Sequence, residues 1–165
     1  MKRVKTLFAA ATLLLASTVA VRAQDPAAQI IGVWKLISNS NKELATGKAN
    51  YPLGQNPVGY IVYTKGGHLI FSLAAGDRAK PAGASATDGE RVALYNTLAA
   101  GSGSYKVDGN TLTVTYDTSW LQTWTGTTQK RKIALSGNKL TVTSEPTKLS
   151  EGQEVIFEVV YERVE

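Results

Sequence analysis

Gly32-Val33-Trp34-Lys35-Leu36 opens the first strand-like run of the chain, and its reading decides the fold. A tryptophan at that place can close one end of a β-barrel, with a cation from the last strand lying across its indole face at a distance suited to cation–π attraction. Arg163, two residues from the end of the chain, supplies such a cation. The barrel reading then depends on what lies between these two residues.

From Ile31 onward the chain consists of short runs rich in Val, Ile, Thr and Tyr separated by glycine turns, which is the pattern of antiparallel β-structure. Eight runs are countable: 31–40, 58–64, 68–74, 102–107, 111–119, 127–135, 139–144 and 154–164. Three hairpin turns are explicit, at Lys65-Gly66-Gly67, Asp108-Gly109-Asn110 and Ser136-Gly137-Asn138, where glycine takes a positive φ without a Cβ clash. The expected fold is all-β, an eight-stranded antiparallel up-and-down barrel, because closure removes the edges that an open sheet would leave. Eight strands enclose a space just wide enough for side chains or one small ligand.

One short helix is expected between strands three and four. Thr87 followed by Glu90 forms a capping box, and Val92, Leu94, Tyr95 and Leu98 recur at helical spacing. The preceding stretch, 76–86, is full of Ala, Gly and Pro and reads as a mobile loop. Such a helix either covers one mouth of the barrel or packs outside the sheet.

Residues 1–23 read as a secretory signal peptide. Lys2, Arg3 and Lys5 make a basic start, Leu7 to Ala16 an apolar run too short to span a bilayer as a helix, and Val21-Arg22-Ala23 a small-residue cleavage site. The expected mature chain, 24–165, holds about 142 residues and is read as a single barrel domain, secreted or periplasmic. The formal net charge of +5 does not survive cleavage: the leader carries four of the eighteen basic residues and none of the thirteen acidic ones, which leaves +1. A nearly neutral surface has no electrostatic footprint for nucleic acid. Cysteine is absent, so neither disulfides nor thiolate chemistry enters the reading.

Alternation assigns faces. In the last run Val155, Phe157, Val159, Tyr161 and Arg163 share the face expected to point inward. In the sixth run, inward Ile133 and Leu135 place Arg131 and Gln129 inward as well, with Lys130 and Lys132 in solvent. An inward guanidinium needs acceptors. Arg131 is therefore either a structural residue satisfied by backbone carbonyls near the mouth or an anchor for an anionic or carbonyl-bearing ligand. The candidate lining is Arg131 with Tyr60, Phe71, Tyr105, Tyr116, Trp120, Trp124, Phe157 and Tyr161, most of which would serve equally as ordinary β-sheet core. Trp120 and Trp124 lie in the link between runs five and six, where a large ring either plugs the barrel end or meets a ligand. Trp34 and Arg163 are assigned to barrel closure.

Catalytic signals are weak. His68 is the single histidine and sits beside a hairpin turn, and Asp77, Asp88 and Asp117 form no acid/base pair by spacing. Imidazole or thiolate metal sites are not expected, and no cofactor is implied. No phosphate-loop pattern stands in a strand-to-helix context.

In order and spacing, the chain resembles a bacterial lipocalin-like domain family through Gly32 to Leu36, Pro52-Leu53-Gly54 with Pro57, Gly59 to Thr64, Arg78, Tyr105-Lys106-Val107, Ser119-Trp120, Trp124, Gly126 and Arg131. The resemblance implies a calycin-type barrel that takes small apolar ligands. Some lipocalin-like barrels act as cyclases, isomerases or hydratases. Family members often carry a histidine pair in strand five, where Val114 and Thr115 stand here, so an activity resting on those imidazoles would be absent. The expected function is binding of a small, mainly apolar molecule in the lumen. The alternatives are a barrel enzyme that orders a hydrophobic substrate and a solid barrel with a structural or protein-binding role.

Overall fold

The computed structural model describes residues 25–149 and 152–165, so the leader lies outside the described residues. A single helical turn, α1 (Pro26–Gln29), leads into β1 (Gly32–Glu43). Then follow β2 (Ala49–Asn50), β3 (Pro57–Tyr63), β4 (His68–Ala75), α2 (Asp88–Asn96), β5 (Leu98–Asp108) and β6 (Thr111–Ser119). A 3-10 turn at Gln122–Trp124 precedes β7 (Thr128–Ser136), β8 (Lys139–Ser144), β9 (Thr147–Lys148) and β10 (Glu154–Arg163). Eight long strands pair antiparallel in the order β1-β3-β4-β5-β6-β7-β8-β10, and β10 returns to β1 to close the barrel. The two-residue strands β2 and β9 extend the rim of β1 and β10.

Up-and-down order sorts the connections to two ends. The hairpins β3–β4, β5–β6 and β7–β8 turn at the end where β1 begins and β10 finishes, and α1 lies there too. The long links 44–56, 76–87 and 120–127, and the described residues of the β8–β10 link, lie at the opposite, open end. At the closed end Trp34 is 0% exposed and stands directly across the seam from Arg163. The guanidinium lies 4.1 Å from the indole centroid, and the indole N–H donates to the Ile30 carbonyl at 2.7 Å. Arg163 also donates to the carbonyls of Gln29, Ile31 and Glu165, which ties α1 and the chain end to the seam. The expected closure is thus a cross-strand pair.

Several boundaries differ from the sequence reading: β1 runs on to Glu43 rather than ending at Ser40, and β5 begins four residues earlier than expected. Leu98, expected on the helix, begins β5: α2 stops at Asn96, and Leu98 pairs with Ala74. The segment Leu98-Ala99-Ala100-Gly101 carries small residues and little alternation, but it completes the β4 ladder. The helix has the expected capping box, yet none of its side chains is buried and Val92 is 59% exposed. It sits at the open end, held where Arg78 donates to the Leu94 carbonyl at 3.0 Å and Tyr95 to the Trp120 carbonyl at 2.9 Å. No helix among the described residues is long and apolar enough to cross a membrane.

The core is one buried cluster that runs from Ile30, Trp34 and Leu36 near the closed end to Leu73 and Tyr116 farther up the barrel, and Leu53 reaches it from the link after β2. Their burial, at about 1.5–3 kcal/mol for each large apolar side chain, is the main favourable term holding the barrel closed.

Candidate functional site

The chemistry-bearing side chains gather in the upper and middle lumen. On β7 alternation is strict: Gln129, Arg131, Ile133 and Leu135 face in, while Thr128, Lys130, Lys132 and Ala134 are exposed. Arg131 pairs in register with Leu112 on one side and Ser144 on the other. Its guanidinium donates to the Gln129 side-chain oxygen and, at 3.3 Å, to the Lys130 carbonyl. It also lies 5.9 Å from the Trp124 ring centroid. The Tyr116 hydroxyl is a further hydrogen-bond partner of this group, which has five N–H donors. Among the described residues the ion pair that forms joins Arg91 to Asp88 on α2, and Arg131 has no carboxylate partner.

Aromatic rings run from mid-barrel to the rim. Phe71 meets Tyr116 edge-on at 6.3 Å, Tyr116 meets Trp124 at 5.3 Å, and Trp124 meets Trp120 edge-on at 5.1 Å. Phe71 gains its place because Gly101 on β5 has no side chain: a Cβ there would come within 3.0 Å of the ring. The tryptophan loop is fastened by Trp120 N–H to the Ala100 carbonyl at 2.8 Å and Gly126 N–H to the Tyr116 carbonyl at 2.8 Å. Trp120 and Trp124 remain half-buried, packed on the lumen rings at the rim. Between this loop and the β8–β10 link lies a cavity of about 300 Å³ with Trp124, Gln129, Arg131, Glu145, Pro146 and Phe157 in its wall. A second cavity of about 440 Å³ lies at the closed end beside α1, where Arg163 already serves three carbonyls. The smaller cavity is the better candidate, since Trp124 and Phe157 stand in its wall beside the Arg131 guanidinium.

Not every expected lining residue joins this group. Tyr60 stands on the outer face, 49% exposed between Lys35 and Ser72, because Ile61 and Tyr63 occupy the inward positions of β3. Tyr105 faces in but belongs to the closed half, where its hydroxyl donates to the Thr64 carbonyl at 2.9 Å and its ring meets Tyr63 at 5.0 Å. The sequence reading missed Tyr63, which is 2% exposed, although its phase with Ile61 could have found it. It also missed Glu145 and Pro146, which the β8–β10 link places in the wall of the same cavity as Arg131. Phe71, Tyr116, Tyr161 and Phe157 are inward as expected.

Burial acts on the inner phenols. It pushes Tyr63 well above the ordinary phenol value of 10.0, with Tyr161, Tyr116 and Tyr105 adding to the rise and Arg131 opposing it. Burial likewise raises Tyr161, with a further push from Tyr116, and raises Tyr116 against the opposing pull of Arg131. Arg131 thus acts on Tyr63 and Tyr116, and Tyr116 on Tyr161. A consequence for stability follows. Below 10.0 the phenols are protonated in both folded and unfolded chains; as pH climbs past it the unfolded chain loses protons first, and stability falls toward the raised native values. The urea midpoint should drop steadily above pH about 10, and the tyrosinate absorbance of Tyr63, Tyr116 and Tyr161 should appear together with loss of the β circular dichroism signal. Full ionisation of these tyrosines with an intact β signal would contradict this.

A search of curated proteins found no match to the chain. The family model described as a lipocalin-like domain matches residues 31–164, from the residue before β1 to the residue after β10. The match takes in the closing Trp34–Arg163 pair, the tryptophan loop and Arg131, and the chain belongs to the lipocalin-like domain family.

Proposed function

We propose that this barrel is a carrier for a small, mainly apolar molecule that bears an acidic or carbonyl group, held in the upper lumen with that group on Arg131. One observation carries the reading: a lumen-facing guanidinium without a carboxylate partner among the described residues, set against Trp124 in the wall of a 300 Å³ cavity. The cavity volume is at the lower end of the range for small-molecule sites, and rings with a few placed polar groups are their usual lining. The leader-like N-terminus supports work outside the cytoplasm, in the periplasm or beyond.

The test is binding to purified protein. Octanoate should change the emission of Trp120 and Trp124, and Arg131→Met should weaken that binding about tenfold or more, since a hydrogen bond to a charged group is at stake. The variant should keep the wild-type melting temperature within a few degrees. Undiminished octanoate binding in Arg131→Met would remove the anchor from the proposal.

A further inference from the structure

The cavity at the open end carries two opposite charges that do not meet. Arg131 and Glu145 both stand in its wall, with Trp124, Phe157 and Pro146 as its apolar part. Among the described residues, however, the ion pair that forms is Arg91 with Asp88 on α2. Arg131 turns to uncharged partners, the Gln129 side chain, the Lys130 carbonyl and the Tyr116 hydroxyl. The hydrogen bonds to Glu145 go to its backbone carbonyl, and none among the described residues reaches its carboxylate.

Register makes the two charges neighbours. Arg131 lies opposite Ser144 in the β7–β8 ladder, so Glu145 is the next residue along the partner chain. The buried Ser144 hydroxyl donates to the Glu145 carbonyl at 2.7 Å and accepts the Phe157 N–H at 2.9 Å. From the other side the Thr147 hydroxyl donates to the same carbonyl at 3.1 Å, and Thr147 is itself paired with Val155 of β10. Only Pro146, with its fixed φ, stands between. Glu145 is therefore held in place on the cavity wall. Lys130 also borders the cavity, but alternation turns it to the outer face beside Thr113, and its carbonyl is what Arg131 uses.

Two unpaired charges of opposite sign beside one apolar wall are matched by a guest that carries the reverse pair. A carboxylate alone suits Arg131 but brings a second anion to Glu145, and an amine alone brings a second cation to Arg131. Adjacent strands lie about 4.8 Å apart, so one small head group can serve both side chains. We infer that Glu145 is a second recognition residue of this cavity and that the ligand is a small apolar α-amino acid, its carboxylate on Arg131, its ammonium on Glu145 and its side chain against Trp124 and Phe157. This rests on the carrier reading and adds the class and orientation of the ligand. Discrimination against plain acids and plain amines comes from the charge each would leave opposed.

The experiment compares 2-aminooctanoate, octanoate and octylammonium on the wild type and on Glu145→Gln, which keeps the size of the side chain and removes its charge. Binding is read from tryptophan emission. The wild type should hold 2-aminooctanoate at least about tenfold more tightly than octanoate, with octylammonium weakest. Glu145→Gln should weaken 2-aminooctanoate about tenfold and leave octanoate as tight or tighter, because a like charge is gone. The melting temperature should not move, since the exposed carboxylate has no partner in the fold. If the wild type binds 2-aminooctanoate no more tightly than octanoate, the inference is overturned and the carrier reading stands. It is equally overturned if Glu145→Gln weakens both probes alike, which would make Glu145 a support of the turn, or if the variant keeps the full wild-type preference. Binding of none of the three would overturn both readings.

Discussion

Trp34→Ala should cost about 3–5 kcal/mol of stability, the range for truncating a buried aromatic side chain in a core. Three losses coincide there. The indole is fully buried, so its removal opens a cavity against Leu36, Ile61 and Leu69 that neighbours on fixed strands cannot refill. The Ile30 carbonyl loses a 2.7 Å donor, and Arg163 loses the ring face 4.1 Å below its guanidinium. Since domains are held by about 5–15 kcal/mol in all, the variant should sit near the threshold of folding.

Trp34→Phe separates these contributions. It keeps an aromatic face under Arg163 but removes the indole N–H, and should cost about 1–2 kcal/mol, the penalty for one unsatisfied buried carbonyl with a small void. Urea unfolding followed by far-ultraviolet circular dichroism measures both, with Trp120 and Trp124 fluorescence reporting separately on the open end. If Trp34→Ala unfolds within 1 kcal/mol of the wild type, the Trp34–Arg163 pair is an ornament on a seam closed by the β1–β10 ladder alone. The open end should be spared in either variant, so octanoate binding measured well below the unfolding midpoint should survive. Closure and cavity occupy opposite ends of one barrel.

How far the sequence reaches can be seen residue by residue. Arg163 opposite Trp34, and Arg131 in the lumen, were legible because each is fixed by period two from unmistakable neighbours: Val159 and Tyr161 in one case, Ile133 and Leu135 in the other. The strand count was legible because the hairpin glycines punctuate it. Strand β3 defeated the same logic. Val58, Tyr60 and Val62 are as apolar and as strand-favouring as Ile61 and Tyr63, so polarity does not distinguish its faces, and the outer set stays well exposed with Val58 at 50%. The start of β5 was hidden for another reason, since alanine and glycine carry no face at all and only the β4 ladder tells the segment to extend. Glu145 and Pro146 join the cavity of Arg131 through the meeting of a long link with a distant strand, which no local pattern encodes.

The β3–β4 ladder that sequence left ambiguous makes the second large prediction. Gly59 has φ of +127° and lies opposite Leu73, and a Cβ built on it would fall 2.1 Å from the Ser72 carbonyl oxygen and 2.8 Å from the Leu73 Cα. Those atoms are backbone in a strand paired on both sides, because Leu73 also faces Ala99 of β5. They cannot yield without parting two ladders. Gly59→Ala should therefore cost about 3 kcal/mol or more, the upper end of the range for a forced backbone conformation, with the overlap added. Gly54→Ala is the milder comparison: its φ of +73° lies close to the left-handed region that a side chain tolerates at modest cost, and a Cβ there meets nothing within 4 Å. It should cost only about 1 kcal/mol, the conformational part alone. Urea midpoints of the two variants measure the difference, and equal losses would mean that both the φ of +127° and the close approach at Gly59 relax without consequence. The function should follow the ladder. Ile61 opposite Phe71 and Tyr63 opposite Leu69 set two of the lumen rings, so a parted β3–β4 pair displaces both Phe71 and the Tyr63 phenol. Gly59→Ala should lose octanoate binding along with stability, while Gly54→Ala, on the rim link, should keep it.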